Sequence, residues 1–366
     1  MRKRLPFLVV AILLAPIAFV RAQAPETQKP LDIYFIDTEG GQATLFVAPS
    51  GESMLVDTGF PGNQGAATPE ESNAPGITRD ADRIMAVLKK ANVIVLDYVV
   101  ITHYHGDHAG NAAELAKRIP IRHFYDHGPY TVEMQANRDA PYVSYQPIRA
   151  KAHVIVPKPG DKIPVAGLDV QVVSAAGELI KEPVQGAPGA GKPNPLCRDA
   201  KLKEQDATPE NFESIGLVVR YSSFRLLDLA DLTWNQEHAL ACPNNLIGTF
   251  DVFHTTRHGD PHSGAPQLMH AIRARVALMN NGERKGGSPE YWQTVHESPG
   301  LEDFWQIHRS AAGGADHNSP EQFLANLSET DHGHNIKMSV RPDGSFTMTN
   351  ERNGFTKEYP ARGNTH

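Results

Sequence analysis

Cysteine is nearly absent from the 366 residues: Cys197 and Cys242 are the only two, too few for a disulfide-dense scaffold. Positive charge is also in short supply. Lys+Arg number 35 against Asp+Glu 42, a formal net charge of −7. Nonspecific nucleic-acid binding runs on Lys and Arg neutralising phosphates, so extended nucleic acid is not an expected partner. Beyond residue 22 no run is apolar enough to span a membrane, and no 20 to 50-residue repeat is visible. There is no Gly-x-Ser-x-Gly elbow and no Gly-rich phosphate loop. What the chain does have is 40% hydrophobic residues and length enough for one large or two ordinary domains, which excludes disorder as its general state.

The first 22 residues read as a signal peptide. Met1 to Arg4 is a basic segment, Leu5 to Val20 an apolar one, and Val20-Arg21-Ala22 offers small residues at the −3 and −1 positions of a signal-peptidase site. The alternative is an uncleaved anchor, but the apolar run is shorter than the ~20 residues a spanning helix wants. The expectation is an exported protein, periplasmic or secreted, that begins near Gln23 and has no membrane attachment after signal removal. In an oxidising compartment Cys197 and Cys242 can pair. Residues 23–366 are expected to be a single domain with a Pro/Gly-rich insertion at about 182–210, the span that packs Pro183, Gly186, Pro188, Gly189, Gly191, Pro193 and Pro195 together.

Leu31 to Ile36 and Ala43 to Ala48 are β-rich runs around the turn-forming hexad Asp37-Thr-Glu-Gly-Gly-Gln42 and predict a hairpin. Glu52 to Asp57 predicts a third strand. Ile84, Val87, Leu88 and Ala91 at helical spacing predict a helix over 80–91, before a strand over 93–102. A helix over 109–118 and strands near 121–125, 153–156, 168–174, 215–221, 224–229 and 250–255 follow, and the tail 335–358 predicts two strands around Arg341-Pro-Asp-Gly344. Strands first, then strands alternating with helices, twice over, predict an α/β fold of four layers: two sheets with helices on their outer faces, an αββα sandwich.

The informative stretch is Val99-Val-Ile-Thr-His103-Tyr-His105-Gly-Asp107-His108, three histidines and an aspartate directly after an apolar strand. Imidazole nitrogen and carboxylate oxygen are the ligand set of a hydrolytic Zn²⁺ or Mn²⁺ site. Alternation along the segment lets His103 and His105 face one position while Asp107 and His108 face a second, and Gly106 relieves backbone crowding at the turn. A solvated His-rich loop explains one or two histidines, not four ligand-type side chains behind a buried strand.

His-x-His-x-Asp-His after a strand resembles the hallmark of the metallo-β-lactamase superfamily. Asp57-Thr58-Gly59 resembles its early strand-end Asp, Leu226-Leu-Asp-Leu-Ala-Asp231 the strand that ends in a bridging Asp, and Asp251 to Gly259 the late strand that ends in the last His ligand, here His258. Within the superfamily the likeness is to the hydrolase domain of ComEC-type competence proteins. It is carried by Ile36 to Ala43, by Asn211-x-x-Ser214 and by Arg257-His258-Gly259-Asp260-Pro-His262-Ser263, with Arg for that pattern's first His and Asp for its first Ser. The resemblance implies two divalent ions, zinc or alternatively manganese, a metal-bound hydroxide as nucleophile, and ligands His103, His105, Asp107, His108, Asp231 and His258. It further implies that Asp107 orients the hydroxide or shuttles its proton, and that Asp57 holds a ligand His in one tautomer. One departure stands out. Better-known members carry another His ligand after the strand that here is Leu168 to Ser174, where this chain has Ala175-Ala-Gly-Glu178. The first ion would then rest on His103, His105 and Asp231 alone; His127 is the one substitute, although its turn position suits a surface or supporting residue.

His262 reads as a loop residue. His153, His254, His270, His296 and His308 read as structural or surface residues, and His332 and His334 as a solvated turn. The functional expectation is a metal-dependent hydrolase of a small molecule, on balance a phosphodiester or ester-like one. The alternatives are a lactamase- or lactonase-like hydrolase, or an exported binding module that has kept the fold without catalysis. The sequence leaves the oligomeric state open.

Overall fold

A computed structural model describes residues 29–62, 78–131, 141–203, 209–328 and 333–363. The expected signal segment lies outside the described residues, as does His332. Among the described residues no helix is long and apolar enough to cross a membrane.

The chain opens with β1 (Leu31–Phe35) and β2 (Thr44–Val47), an antiparallel hairpin around the 37–42 hexad, and β3 (Ser53–Val56) continues it. The helix Arg79–Lys90 buries Ile84, Val87 and Leu88 on one face and leads into β4 (Leu96–Val100), parallel to β3. Next come β5 (Ile121–Tyr125) and the short β6 (Val154–Ile155). A second sheet is built from β7 (Lys162–Ile163), β8 (Asp169–Ala175), β9 (Glu178–Leu179), β10 (Gly216–Tyr221), β11 (Phe224–Asp228), β12 (Val252–His254), β13 (Val276–Met279), β14 (Asp303–His308) and β15 (Leu324–Asn326). The tail then returns to the first sheet as β16 (Ile336–Val340), β17 (Phe346–Asn350) and β18 (Thr356–Tyr359), giving the order β18-β17-β16-β1-β2-β3-β4-β5-β6.

Alternating side chains sort the molecule into layers. Ile33, Phe46, Met54, Val56 and Val100 of the first sheet meet Val170, Val172, Leu217, Val219, Leu226 and Val252 of the second in one central core. The opposite face of the second sheet, Val218, Leu227 and Phe253, packs on Leu240, Leu268, Met269 and Trp292 from the helices Trp234–Ala241, Pro266–Ile272 and Pro289–His296. The outer face of the first sheet, Tyr34, Leu45, Leu55 and Val99, packs on Ile84, Leu88, Leu115 and Tyr145 from the helices Arg79–Lys90, Ala112–Arg118 and Pro141–Arg149. The fold is the four-layer αββα sandwich that the sequence predicts.

Three local expectations are adjusted. The helix placed at 109–118 is two helices, Gly106–Ala109 and Ala112–Arg118, because Asn111 leaves helical geometry, at φ −111° and ψ 10°, with its Nδ2 donating to Thr58 O at 2.8 Å and Phe60 O at 2.6 Å. The tail holds three strands, not two. The Pro/Gly-rich segment is a string of turns tied to the body through 203: Val184 and Ala187 are buried, Gly191 N donates to Asn245 O at 2.7 Å, and a disulfide joins Cys197 to Cys242 with Cα atoms 5.7 Å apart.

Candidate metal centre

The ligand-type side chains reach one place because both sheets end there. From the first sheet, β3 ends at Val56, just before Asp57, and β4 at Val100, so Thr102 to His108 leave the sheet next to Asp57. From the second, β11 and β12 run parallel, and the loops after them carry Asp231 and His258. Strand ends are where a chain must turn, and here the turning is costly. Asp57, Ala230, Arg257 and His258 all adopt positive φ, between 49° and 62°, without being glycine. Hydrogen bonds hold these turns: Asp57 N donates to Val100 O at 2.8 Å, Arg257 N to Ala230 O at 2.9 Å, and Gly287 N to His258 O at 2.9 Å.

Asp107, His108, Asp231 and His258 are all buried, and each offers a ligand atom within 4.8 Å of the others'. Asp231 Oδ1 lies 3.2 Å from His108 Nε2 and 3.3 Å from His258 Nε2; Asp107 Oδ2 lies 3.3 Å and 3.0 Å from the same two atoms. Beside them His103 Nε2 lies 3.0 Å from His105 Nδ1 and 4.0 Å from Asp231 Oδ2. Asp231 thus turns one oxygen to each half of the cluster. Nothing comes from the position of the missing histidine: Ala175 pairs with Glu178 across a tight β8–β9 turn through Ala176 and Gly177, both at positive φ. His127 is buried and its Nε2 is taken by Glu210 Oε1 at 2.8 Å, a supporting contact rather than a place at the cluster.

Asp57 stands behind the cluster, fully buried. Its Oδ2 lies 2.7 Å from His108 Nδ1, and its two oxygens accept from Thr102 N at 2.8 Å and Thr102 Oγ1 at 2.7 Å. With Nδ1 engaged by Asp57, the Nε2 of His108 faces Asp107 and Asp231. Burial pushes the Asp57 carboxyl above its ordinary range, against the pull of His108. Burial works against ionised Asp107 and Asp231 as well, but is outweighed. Lys285 and His108 hold Asp107 well below the usual carboxylate range, and His258 and His108 do the same for Asp231. His108 rises well above the ordinary imidazole value because Asp231, Asp107 and Asp57 overcome its burial. His103 falls well below it through burial, with His108 and His105 adding to the effect, and His258 falls through burial and Lys285. The arrangement is two buried carboxylates facing four imidazoles, with the Lys285 ammonium against one of the carboxylates.

That donor set suits divalent ions, and one atom shows it. Asp231 Oδ1 is buried and has no hydrogen-bond partner although two imidazole nitrogens lie close to it. A buried carboxylate oxygen left without a donor is costly in a folded protein. Nitrogen and oxygen atoms converging on one point are the environment a metal ion completes.

Several contributors escape the sequence. Lys285, on the loop after β13, places its ammonium against Asp107 Oδ2. Glu210 accepts from Tyr104 N at 2.7 Å, pinning the peptide between His103 and His105. Gln42 N donates to Asp107 O at 3.0 Å and Gln42 Nε2 to Asp228 Oδ2 at 2.9 Å, so the 37–42 turn clamps both sheets' site loops. That turn is held by Asp37, which meets His308 Nε2 at 2.7 Å and Arg83 at 3.1 Å, while Glu39 pairs with Arg83 at 2.9 Å. Arg83 already neutralises this acidic cluster, and His308 is a buried ion-pair partner there, not a surface residue. His254 sits on Asp228 at 3.1 Å, and His262 is more than half exposed and 2.7 Å from Asp260. His153 pairs with His123, His270 with a backbone carbonyl, and His296 stacks on Trp292, all away from the cluster.

Residues 37–189 match the family model described as the metallo-beta-lactamase superfamily. No curated protein matches the chain. Among solved structures, the metallo-beta-lactamase fold protein YhfI from Bacillus subtilis is 11% identical with a TM-score of 0.44, over 84% of this chain and 99% of its own. Igni18, a metallo hydrolase from Ignicoccus hospitalis, is 13% identical with a TM-score of 0.37, over 72% and 91%. The diiron beta-hydroxylase CmlA from Streptomyces venezuelae is likewise 13% identical, with a TM-score of 0.37, over 70% and 46%.

Proposed function

Since the chain carries a metallo-beta-lactamase superfamily domain over residues 37–189, we propose that it is a metal-dependent hydrolase whose centre is His103, His105, Asp107, His108, Asp231 and His258. The observation that carries this reading is Asp231: one oxygen faces His108 and His258, the other faces His103, and the first has no hydrogen-bond donor. Two divalent ions held there, with zinc the first choice, would supply a hydroxide near neutral pH and an electrophile for the bond to be cut. The protein's own part is to hold donors and protons in place. Asp57 keeps His108 Nδ1 engaged, Glu210 fixes the peptide between His103 and His105, and Asp107 is the carboxylate placed to orient a water or take its proton.

A small phosphodiester or ester-like molecule is the proposed substrate. The ComEC-type motifs around 36–43 and 257–263 support the phosphodiester, and the acidic composition weighs against long nucleic acid. Export to the periplasm or beyond, proposed from the first 22 residues, fits a protein whose two cysteines are joined. The absence of a ligand at Ala175–Glu178 favours a second reading, a binding module with a weak or single ion. Elemental analysis of purified protein, with chromogenic phosphodiester, ester and lactam substrates, separates the two. Two ions per chain and turnover of one substrate class support the hydrolase; a metal-free protein inert on all three rejects it.

A further inference from the structure

The ammonium of Lys285 touches Asp107 Oδ2, and that oxygen is the one turned to His108 Nε2 at 3.3 Å and His258 Nε2 at 3.0 Å. A divalent ion at the four-residue half of the centre would claim the same oxygen. The lysine backbone is not free to move away. Gly282 N donates to Lys285 O at 2.9 Å, and Gly287 N donates to His258 O at 2.9 Å. A Cβ at Gly286 would lie 1.9 Å from His258 O, and one at Gly40 would lie 2.7 Å from Gly282 N. The loop is wedged between the His258 turn and the 37–42 turn, so the backbone at Lys285 is held against the site. Its side chain is 41% exposed, with the ammonium 5.0 Å from the centre of the Phe60 ring. The head can therefore swing toward solvent while its root stays put.

We propose, resting on the metal-centre reading above, that Lys285 is a built-in competitor for Asp107 that weakens the ion held by Asp107, His108, Asp231 and His258. Ligand count alone would make that half the tighter one, since the other has only His103, His105 and a share of Asp231. Lys285 offsets the difference: an ion there must share Asp107 with a positive charge or push it aside. It is a positioning residue that sets the order in which the two halves fill.

The test is calorimetric titration of the metal-free full-length protein with Zn²⁺ at one pH, for wild type, Lys285→Met and Lys285→Arg. Lys285→Met should tighten one binding step by about tenfold or more and leave the other unchanged, the scale on which a contacting charge alters a carboxylate's affinity for a cation. Lys285→Arg should behave like wild type. In a His258→Ala background the gain should vanish; in a His103→Ala background it should persist. Thermal melts of each metal-free variant establish that it is folded before titration. Unchanged or weaker zinc binding in folded Lys285→Met overturns the proposal. No zinc uptake by wild type or any variant rejects the metal-centre reading itself, which is a different result.

Discussion

Glu237 is fully buried on the helix Trp234–Ala241, and its three donors come from the segments that carry His258 and follow it. Gly264 N and Ala265 N donate to Oε2 at 2.7 and 2.8 Å, at the start of the helix Pro266–Ile272, and Oε1 is bonded to Thr256 Oγ1. Thr256 in turn meets the Tyr291 hydroxyl at 2.9 Å. Burial dominates these favourable bonds and raises the Glu237 carboxyl from 4.5 to about 7. The unfolded chain therefore releases this proton at lower pH than the folded protein does. Stability is at its full value below about pH 4.5, falls as pH rises through 7, and levels off above it. The whole shift amounts to about 3 kcal/mol, of which roughly 2.5 kcal/mol falls between pH 5 and pH 8. Glu237→Gln mimics the protonated acid: its amide nitrogen can donate to Thr256 Oγ1 while its oxygen accepts from Gly264 and Ala265. Urea unfolding of both proteins at pH 5 and pH 8 isolates this group, because every other titration cancels in the difference. The variant should gain roughly 2.5 kcal/mol relative to wild type on going from pH 5 to pH 8. Parallel pH profiles would refute the claim that burial, not hydrogen bonding, sets the state of Glu237.

Asp231→Ala should remove both ions and lower hydrolysis by about 10² or more, since nucleophile and electrophile both depend on metal charge; full metal content in this variant would end the bridging assignment. His262→Ala, altering a more than half-exposed residue away from the cluster, should leave metal content unchanged in the same elemental analysis. Asp57→Asn, which replaces the carboxylate on His108 Nδ1 with an amide, should weaken metal binding by roughly 10- to 100-fold while the ligands remain in place; titration with a competing chelator reads it. Replacing Cys197 and Cys242 together with Ser opens a loop of 45 residues' separation, which in the chain-entropy picture costs about 4 kcal/mol. Denaturant unfolding with and without reductant checks it, and two titratable thiols in unreduced wild type would show that the bridge does not form.

Periodicity and turn chemistry are local, and many local features were legible, although β13, β14 and β15 were not predicted. The hairpin across 37–42, the helix ahead of β4 and the strands at 121–125, 216–221 and 224–228 lie within a few residues of where alternation and turn residues put them. His103 to His108 could be picked out because its ligand types are adjacent in sequence and directly follow an apolar strand. What local pattern could not reveal is every partner that reaches the site from far along the chain. Lys285 is 178 positions from Asp107, Glu210 is 106 from Tyr104, and His308 is 271 from Asp37. None sits in a motif, and a lone Lys, Glu or His looks the same in sequence whether solvated or buried. The helix break at Asn111 and the third tail strand were hidden for the same reason: one depends on the carbonyls of Thr58 and Phe60, the other on an open edge at β17. The sequence by itself determined the layer order, the residue types gathered at the strand ends and the spacing of the histidines. The tertiary structure alone decided which buried charge faces which, because burial and distance, not residue type, set the cost of a charge.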